Sequence, residues 1–228
     1  MNKKLNITYN KNKKIIGNLH VNEKSKDLII LCHGYKDTKD LHVYKKISEL
    51  LQDRYNVYRF NFTDNTEPNL FEEVDNITVI TEYFSKKYKE IIIIGASIGG
   101  LSTILNLVSN SRINKTIFVN PFIFFFKRVA WRFRKILISM LLFYPFIKST
   151  RNNLNFYFKF LKPQLITIPS LLIVAENDDK VDSSHGKTFY NQLSSKQKKL
   201  IVDENIDHGL TKEVYIETVV NYIIEWLK

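Results

Sequence analysis

The chain has 228 residues, 44% of them apolar and 13% aromatic, with only seven glycines and five prolines. This excludes a disordered chain and suits one domain, residues 1–228, large enough to bury a full core. Thirty-four basic against 23 acidic side chains give a net charge of +11, and a single cysteine, Cys32, excludes an internal disulfide.

Residues 5–9 and 15–21, parted by an Asn/Lys-rich stretch, predict an N-terminal β-hairpin. Residues 28–32 read as a short buried strand that runs into His33-Gly34-Tyr35. Residues 41–52 carry Leu41, Tyr44, Ile47, Leu50 and Leu51 at helical spacing, and residues 56–62 return as a strand. A helix is predicted over 71–88. The run Ile91-Ile92-Ile93-Ile94 then reads as a strand buried on both faces. Next come a helix over 101–108 and a strand over 115–120. Strands at 171–175 and 200–202 flank a helix at 183–193, and residues 210–227 close the chain as an amphipathic helix. Such alternation predicts an α/β fold, a mostly parallel sheet with helices on both faces.

Residues 121–163 break this rhythm and read as a short helical cap inserted over one edge of the sheet. They hold nine basic side chains, from Lys127 to Lys162, and no acidic one. Two readings stay open for them. One is a buried cap whose basic side is solvated; the other is a lid that meets an anionic or lipidic substrate or an anionic membrane surface. A nucleic-acid partner is not expected, because no recognition motif accompanies the charge. The first residues lack the apolar run of a signal peptide, and no run of 18 apolar residues occurs. A cytoplasmic protein with no transmembrane helix is therefore expected.

The strand Ile91–Ile94 is followed at once by Gly95-Ala96-Ser97-Ile98-Gly99 and then by the helix. Buried strand, sharp turn with serine at its tip, and helix form a nucleophile elbow. The turn forces Ser97 into an unfavourable backbone region, while Gly95 and Gly99 let strand and helix pass closely. The Ile98 N–H, at a helix N-terminus, is aimed at a developing oxyanion. A serine hydroxyl needs a base, and a carboxylate to orient that base. His208, in Asp207-His208-Gly209 before the last helix, is the expected base; His20, His42 and His185 read as surface or helix-start residues. The acid lies in Glu176-Asn177-Asp178-Asp179-Lys180-Val181-Asp182. Asp178 is preferred, three residues beyond the strand, with Asp179, Glu176 and Asp182 as alternatives and Asp182 a natural helix cap.

The segments Leu31-Cys32-His33-Gly34-Tyr35, Tyr58-Arg59-Phe60-Asn61-Phe62, Gly95-Ala96-Ser97-Ile98-Gly99-Gly100, Ala175-Glu176-Asn177-Asp178-Asp179-Lys180-Val181 and Asp207-His208-Gly209 together resemble an α/β-hydrolase over nearly the whole chain. The closer similarity is to small serine esterases of the cinnamoyl-esterase-like and monoacylglycerol-lipase-like kind. That resemblance implies a second oxyanion N–H from Tyr35, beside Ile98, with His33 shaping the loop. It also implies acyl-enzyme hydrolysis of a small-molecule carboxylic ester, with medium or aromatic acyl groups. Two alternatives remain: a thioesterase or amidase on the same triad, and a non-catalytic membrane-surface or ligand-binding protein. The chain departs from the pattern at 63–68, where relatives carry a glycine-rich turn, and at Ala175, where glycine is common. No metal-ligand spacing is present and no cofactor is expected. The glycines around Ser97 do not match the spacing of a dinucleotide cradle.

Overall fold

The computed structural model describes residues 2–11, 13–63, 69–123, 159 and 161–228. Of the cap expected over 121–163, residues 124–158 and 160 lie outside the described residues, as do 64–68 of the departing turn.

The chain runs β1 (Asn2–Thr8), β2 (Lys14–His20), β3 (Asp27–Cys32), α1 (His42–Leu51), β4 (Asn56–Phe60), α2 (Leu70–Ser85), β5 (Glu90–Ala96), α3 (Ser97–Leu107), β6 (Lys115–Val119), β7 (Ser170–Ala175), α4 (Ser183–Gln192), β8 (Lys198–Asp203) and α5 (Glu213–Leu227). The eight strands form one sheet in the order β1-β2-β4-β3-β5-β6-β7-β8. β1 and β2 are antiparallel, β2 meets β4 antiparallel, and every later pairing is parallel. This is the mostly parallel sheet expected from the alternating pattern.

Period-two alternation sends successive side chains to opposite faces. Ile92 and Ile94 of β5, with Leu31 of β3, Val119 of β6 and Ile173 of β7, pack against α1 and α5. Ile91 and Ile93 turn the other way onto Ile77, Ile80 and Phe84 of α2. Farther along that second face Phe118 and Leu172 meet Ile104 of α3 and Phe189 of α4. The sheet is thus covered on both sides, as four consecutive β-branched residues in β5 require.

The boundaries differ from expectation for local reasons. The last helix starts at Glu213 rather than at Leu210, because the Asp207 carboxylate takes the N–H and hydroxyl of Thr211 and closes a turn first. The elbow helix starts at Ser97 itself, four residues earlier than its apolar spacing suggests. β4 stops at Phe60; beyond it the Phe62 N–H leaves the sheet and donates to His33 Nε2. α2 runs only to Ser85, and Lys89 re-enters the sheet region by donating to the Lys26 carbonyl. β8 is twice the expected length, since Lys198, Lys199 and Asp203 also pair with β7 on the edge strand: Lys199 is exposed, Lys198 Nζ donates to the Tyr190 and Leu193 carbonyls, and Asp203 accepts from the Tyr222 hydroxyl.

Candidate active site

All the chemistry-bearing loops leave the C-terminal ends of parallel strands, so the sheet gathers them at one edge. Ser97 follows β5 with φ of 49°, a left-handed conformation uncommon outside glycine. Two glycines permit the turn. A Cβ on Gly95 would lie 2.8 Å from the Gly100 Cα, and one on Gly99 would lie 2.4 Å from the carbonyl oxygens of both Cys32 and His33. The elbow is therefore wedged against the end of β3.

His208 comes from the turn after β8. Leu210, buried at φ 50°, anchors that turn in the core between the sheet and α5. Asp178 lies three residues beyond β7, its side chain only 1% exposed. Its Oδ1 accepts the N–H groups of Lys180 (2.8 Å) and Val181 (2.9 Å). Its Oδ2 faces His208 Nδ1 at 2.7 Å, and His208 Nε2 faces Ser97 Oγ at 3.0 Å. Serine, histidine and aspartate thus form one continuous hydrogen-bonded series. With Nδ1 protonated towards the carboxylate, Nε2 is free to accept the serine proton.

The other acidic residues of that loop face elsewhere. Asp179 pairs with Lys180 at the exposed surface, Glu176 pairs with Lys187, and Asp182 caps α4 by accepting from the Ser184 N–H. Each has its carboxyl held below the usual range, chiefly by a hydrogen bond: from Lys180 for Asp179, Lys187 for Glu176 and Ser184 for Asp182. Of the remaining histidines, His20 ends β2, His42 is exposed at the start of α1, and His185 lies in the first turn of α4.

His33 is buried behind the elbow. Its Nδ1 lies 2.8 Å from the Gly34 carbonyl and its Nε2 accepts the Phe62 N–H at 3.3 Å, which assigns the proton to Nδ1. Burial pushes its pKa down from 6.5, partly offset by the Gly34 carbonyl and Asp37. It is a fixed neutral strut for the loop that carries Tyr35. Tyr44 of α1 braces the same loop: its hydroxyl accepts the Gly34 N–H at 2.8 Å and donates to Asp37 Oδ2 at 2.9 Å. Gly34 lies close against Ser97, where a Cβ would be 3.4 Å from the serine Cβ. Among the described residues the Tyr35 N–H has no hydrogen-bond acceptor, and the Ile98 N–H, in the first turn of α3, has none within its helix.

Tyr44, counted in the sequence only as an apolar position of α1, is a site residue that periodicity missed. So is Asn120, which follows β6 and hydrogen-bonds to the turn that carries His208. A polar residue ending a buried strand was the only signal available for it.

A cleft of about 670 Å³ opens at Ser97 and His208. Leu31, Ile47, Ile94, Val119 and Leu210 line its depth, so it descends between the sheet and α1, while Tyr35, Asp37 and Lys180 stand among its polar or half-polar walls. Among the described residues no group of three or more potential ligands is placed to hold a metal ion, and no helix is long and apolar enough to cross a membrane.

The sequence matches no curated protein. Its backbone is similar to that of an esterase from Pyrococcus furiosus (TM-score 0.75, 20% identity, 100% of this chain and 90% of that one). It is also similar to Est1E from Butyrivibrio proteoclasticus (TM-score 0.69, 18% identity, 98% of each chain). A third likeness is to the α/β hydrolase GrgF from a Penicillium species (TM-score 0.75, 14% identity, 100% and 98%). At these identities the likeness establishes the α/β-hydrolase fold. Residues 72–228, which include Ser97, Asp178 and His208, match the model of the prolyl oligopeptidase family. The chain therefore belongs to the prolyl oligopeptidase family, within the α/β-hydrolases.

Proposed function

We propose that this protein is a serine hydrolase that cleaves carboxylic esters with medium or aromatic acyl groups. The observation that carries the reading is the unbroken series Asp178 Oδ2–His208 Nδ1 at 2.7 Å and His208 Nε2–Ser97 Oγ at 3.0 Å. Ser97 Oγ attacks the ester carbonyl carbon as its proton passes to Nε2, and Asp178 stabilises the imidazolium. The oxyanion is received by the N–H groups of Tyr35 and Ile98. The bond to the leaving alcohol breaks as Nε2 returns the proton to its oxygen. Water then attacks the acyl-enzyme with the same help, releasing the acid and restoring the Ser97 hydroxyl.

The apolar depth of the cleft supports an acyl chain or ring lying between the sheet and α1, because burying such a group there contributes about 25 cal/mol per Å² of apolar surface. A solved structure of Est1E has ferulic acid bound, which supports an aromatic acyl group here by analogy of fold. A second reading, a peptidase or amidase on the same three residues, is favoured by the family match; a thioesterase would use them equally well.

The test is kcat/KM over p-nitrophenyl esters from acetate to dodecanoate, a feruloyl ester, an acyl thioester and a peptide p-nitroanilide, for wild type and Ser97→Ala. Fastest turnover of a medium or aromatic ester, abolished in Ser97→Ala, is expected. Faster turnover of the anilide or thioester would replace the esterase assignment, and no turnover of any would end it. A cytoplasmic setting belongs to the same reading, supported by the lone, buried Cys32. The nine basic side chains of 121–163 support contact with an anionic membrane surface. Sedimentation with anionic liposomes at low salt is expected, and its failure would remove that contact.

A further inference from the structure

Asn120 is the residue immediately after β6, 2% exposed and held at φ 44°. Asparagine is among the few residues that accept this left-handed conformation, although the following Pro121 biases it towards extended backbone. All the polar capacity of its side chain is directed at backbone next to the hydrogen-bonded series. Oδ1 accepts the Ala175 N–H at 2.7 Å, three residues before Asp178. Nδ2 donates at 3.0 Å to the carbonyl of Asp207 and at 3.0 Å to that of His208. The Asn120 N–H donates to the Ile173 carbonyl of β7, and two residues later the Phe122 N–H donates to the Ser97 carbonyl at 3.0 Å. One short segment thus joins the strand before the acid, the turn that bears the base and the elbow.

We propose that Asn120 is a positioning residue that sets the His208 imidazole between Asp178 and Ser97 by tying the His208 turn to the end of β7. The inference rests on the proposed Ser97–His208–Asp178 chemistry and goes beyond it, since the Asn120 side chain hydrogen-bonds to backbone groups and not to any of those three side chains. Only an amide fits the arrangement. It supplies one acceptor to the Ala175 N–H and two donors to two carbonyls, whereas a carboxylate would present oxygen to both carbonyls and an alanine would remove all three bonds, leaving the Asp207 carbonyl only the Leu210 N–H at 3.4 Å. Loss of the Nδ2 bonds lets the 207–209 backbone drift. Misplacement of a catalytic group by about 1 Å costs about 10²-fold in rate.

Two variants separate positioning from mere folding. Asn120→Asp is isosteric and keeps the acceptor for Ala175 but loses both donors; Asn120→Gly accepts φ 44° and removes the side chain. The readouts are kcat and KM on the best ester, thermal unfolding, and the downfield proton resonance of His208 Nδ1, assigned with His208→Gln. In both variants kcat falls about tenfold to a hundredfold with KM within about twofold, and the Nδ1 proton signal shifts or broadens in protein that is still folded. A folded Asn120→Asp with kcat within twofold of wild type and an unmoved signal would overturn the proposal. So would failure of both variants to fold, which would make Asn120 a stability residue. Should wild type hydrolyse no ester, the proposed function fails, but the proton signal, which needs no turnover, still decides the inference.

Discussion

Gly99→Ala probes the junction that sets the Tyr35 N–H beside the Ile98 N–H, the two proposed oxyanion donors. A Cβ at this position would stand 2.4 Å from the carbonyl oxygens of Cys32 and His33, both backbone atoms that cannot rotate away. Ordinary van der Waals contact begins near 3.4 Å, so α3 and the end of β3 must part by about 1 Å. Relief of such overpacking costs about 1–3 kcal/mol. For a domain of this size that lowers Tm by about 2–12 °C, at about 2–4 °C per kcal/mol. The same displacement moves Gly34-Tyr35 away from Ile98, and loss of one oxyanion donor costs about 10²–10³ in kcat. The variant is therefore expected to fold, melt earlier and lose about two orders of magnitude or more in kcat on the best ester, with a smaller change in KM. Calorimetry and steady-state kinetics on the same preparation check both halves. Gly99→Ala with wild-type Tm and kcat would refute the claim that the contact between β3 and the elbow positions the oxyanion donors.

Three further outcomes follow from the same geometry. Asp178→Asn, which removes the buried charge facing His208 Nδ1, lowers kcat by about 10⁴, whereas Asp179→Asn, at an exposed pair with Lys180, leaves it within about twofold; equal effects on ester kinetics would contradict the assignment of the acid. His33 is held neutral by burial, its pKa depressed below 6.5, so its share of stability is complete above pH 6.5 and is lost as pH falls from there through its folded value. The Tm difference between wild type and His33→Asn should thus shrink between pH 8 and pH 5, and a constant difference would exclude His33 as the titrating group. The Cys32 thiol is 1% exposed and burial pushes its pKa up to about 12, so iodoacetamide at pH 8 modifies it only after unfolding in urea; modification of native protein at the rate of a free thiol would contradict the burial.

The strands were legible because β-branched runs such as 91–94 have one structural reading, and Ser97, Asp178 and His208 could be named because each follows such a run into a loop. What could not be read was the second use of residues already assigned to packing. Tyr44 satisfies the apolar period of α1, and nothing in that period discloses that its hydroxyl braces the Gly34 N–H. Asn120 looked like a strand terminus, because its amide bonds reach 55 and 88 residues along the chain, where local pattern has no purchase. The first residue of α5 was missed for the opposite reason: a very local bond, Asp207 to Thr211, intercepts a sequence whose apolar spacing already looks helical. Lys198, Lys199 and Asp203 disguised half of β8, since an edge strand tolerates charges that a central strand would exclude.

The central claim is that Ser97 is an activated nucleophile. Reaction of native protein with a fluorophosphonate probe, read by intact mass and peptide mapping for wild type and Ser97→Ala, tests it most directly. One adduct per chain, on Ser97 and absent from the variant, is the result predicted by a serine held 3.0 Å from His208 Nε2. Folded wild-type protein that stays unlabelled, or that is labelled equally in Ser97→Ala, would contradict it.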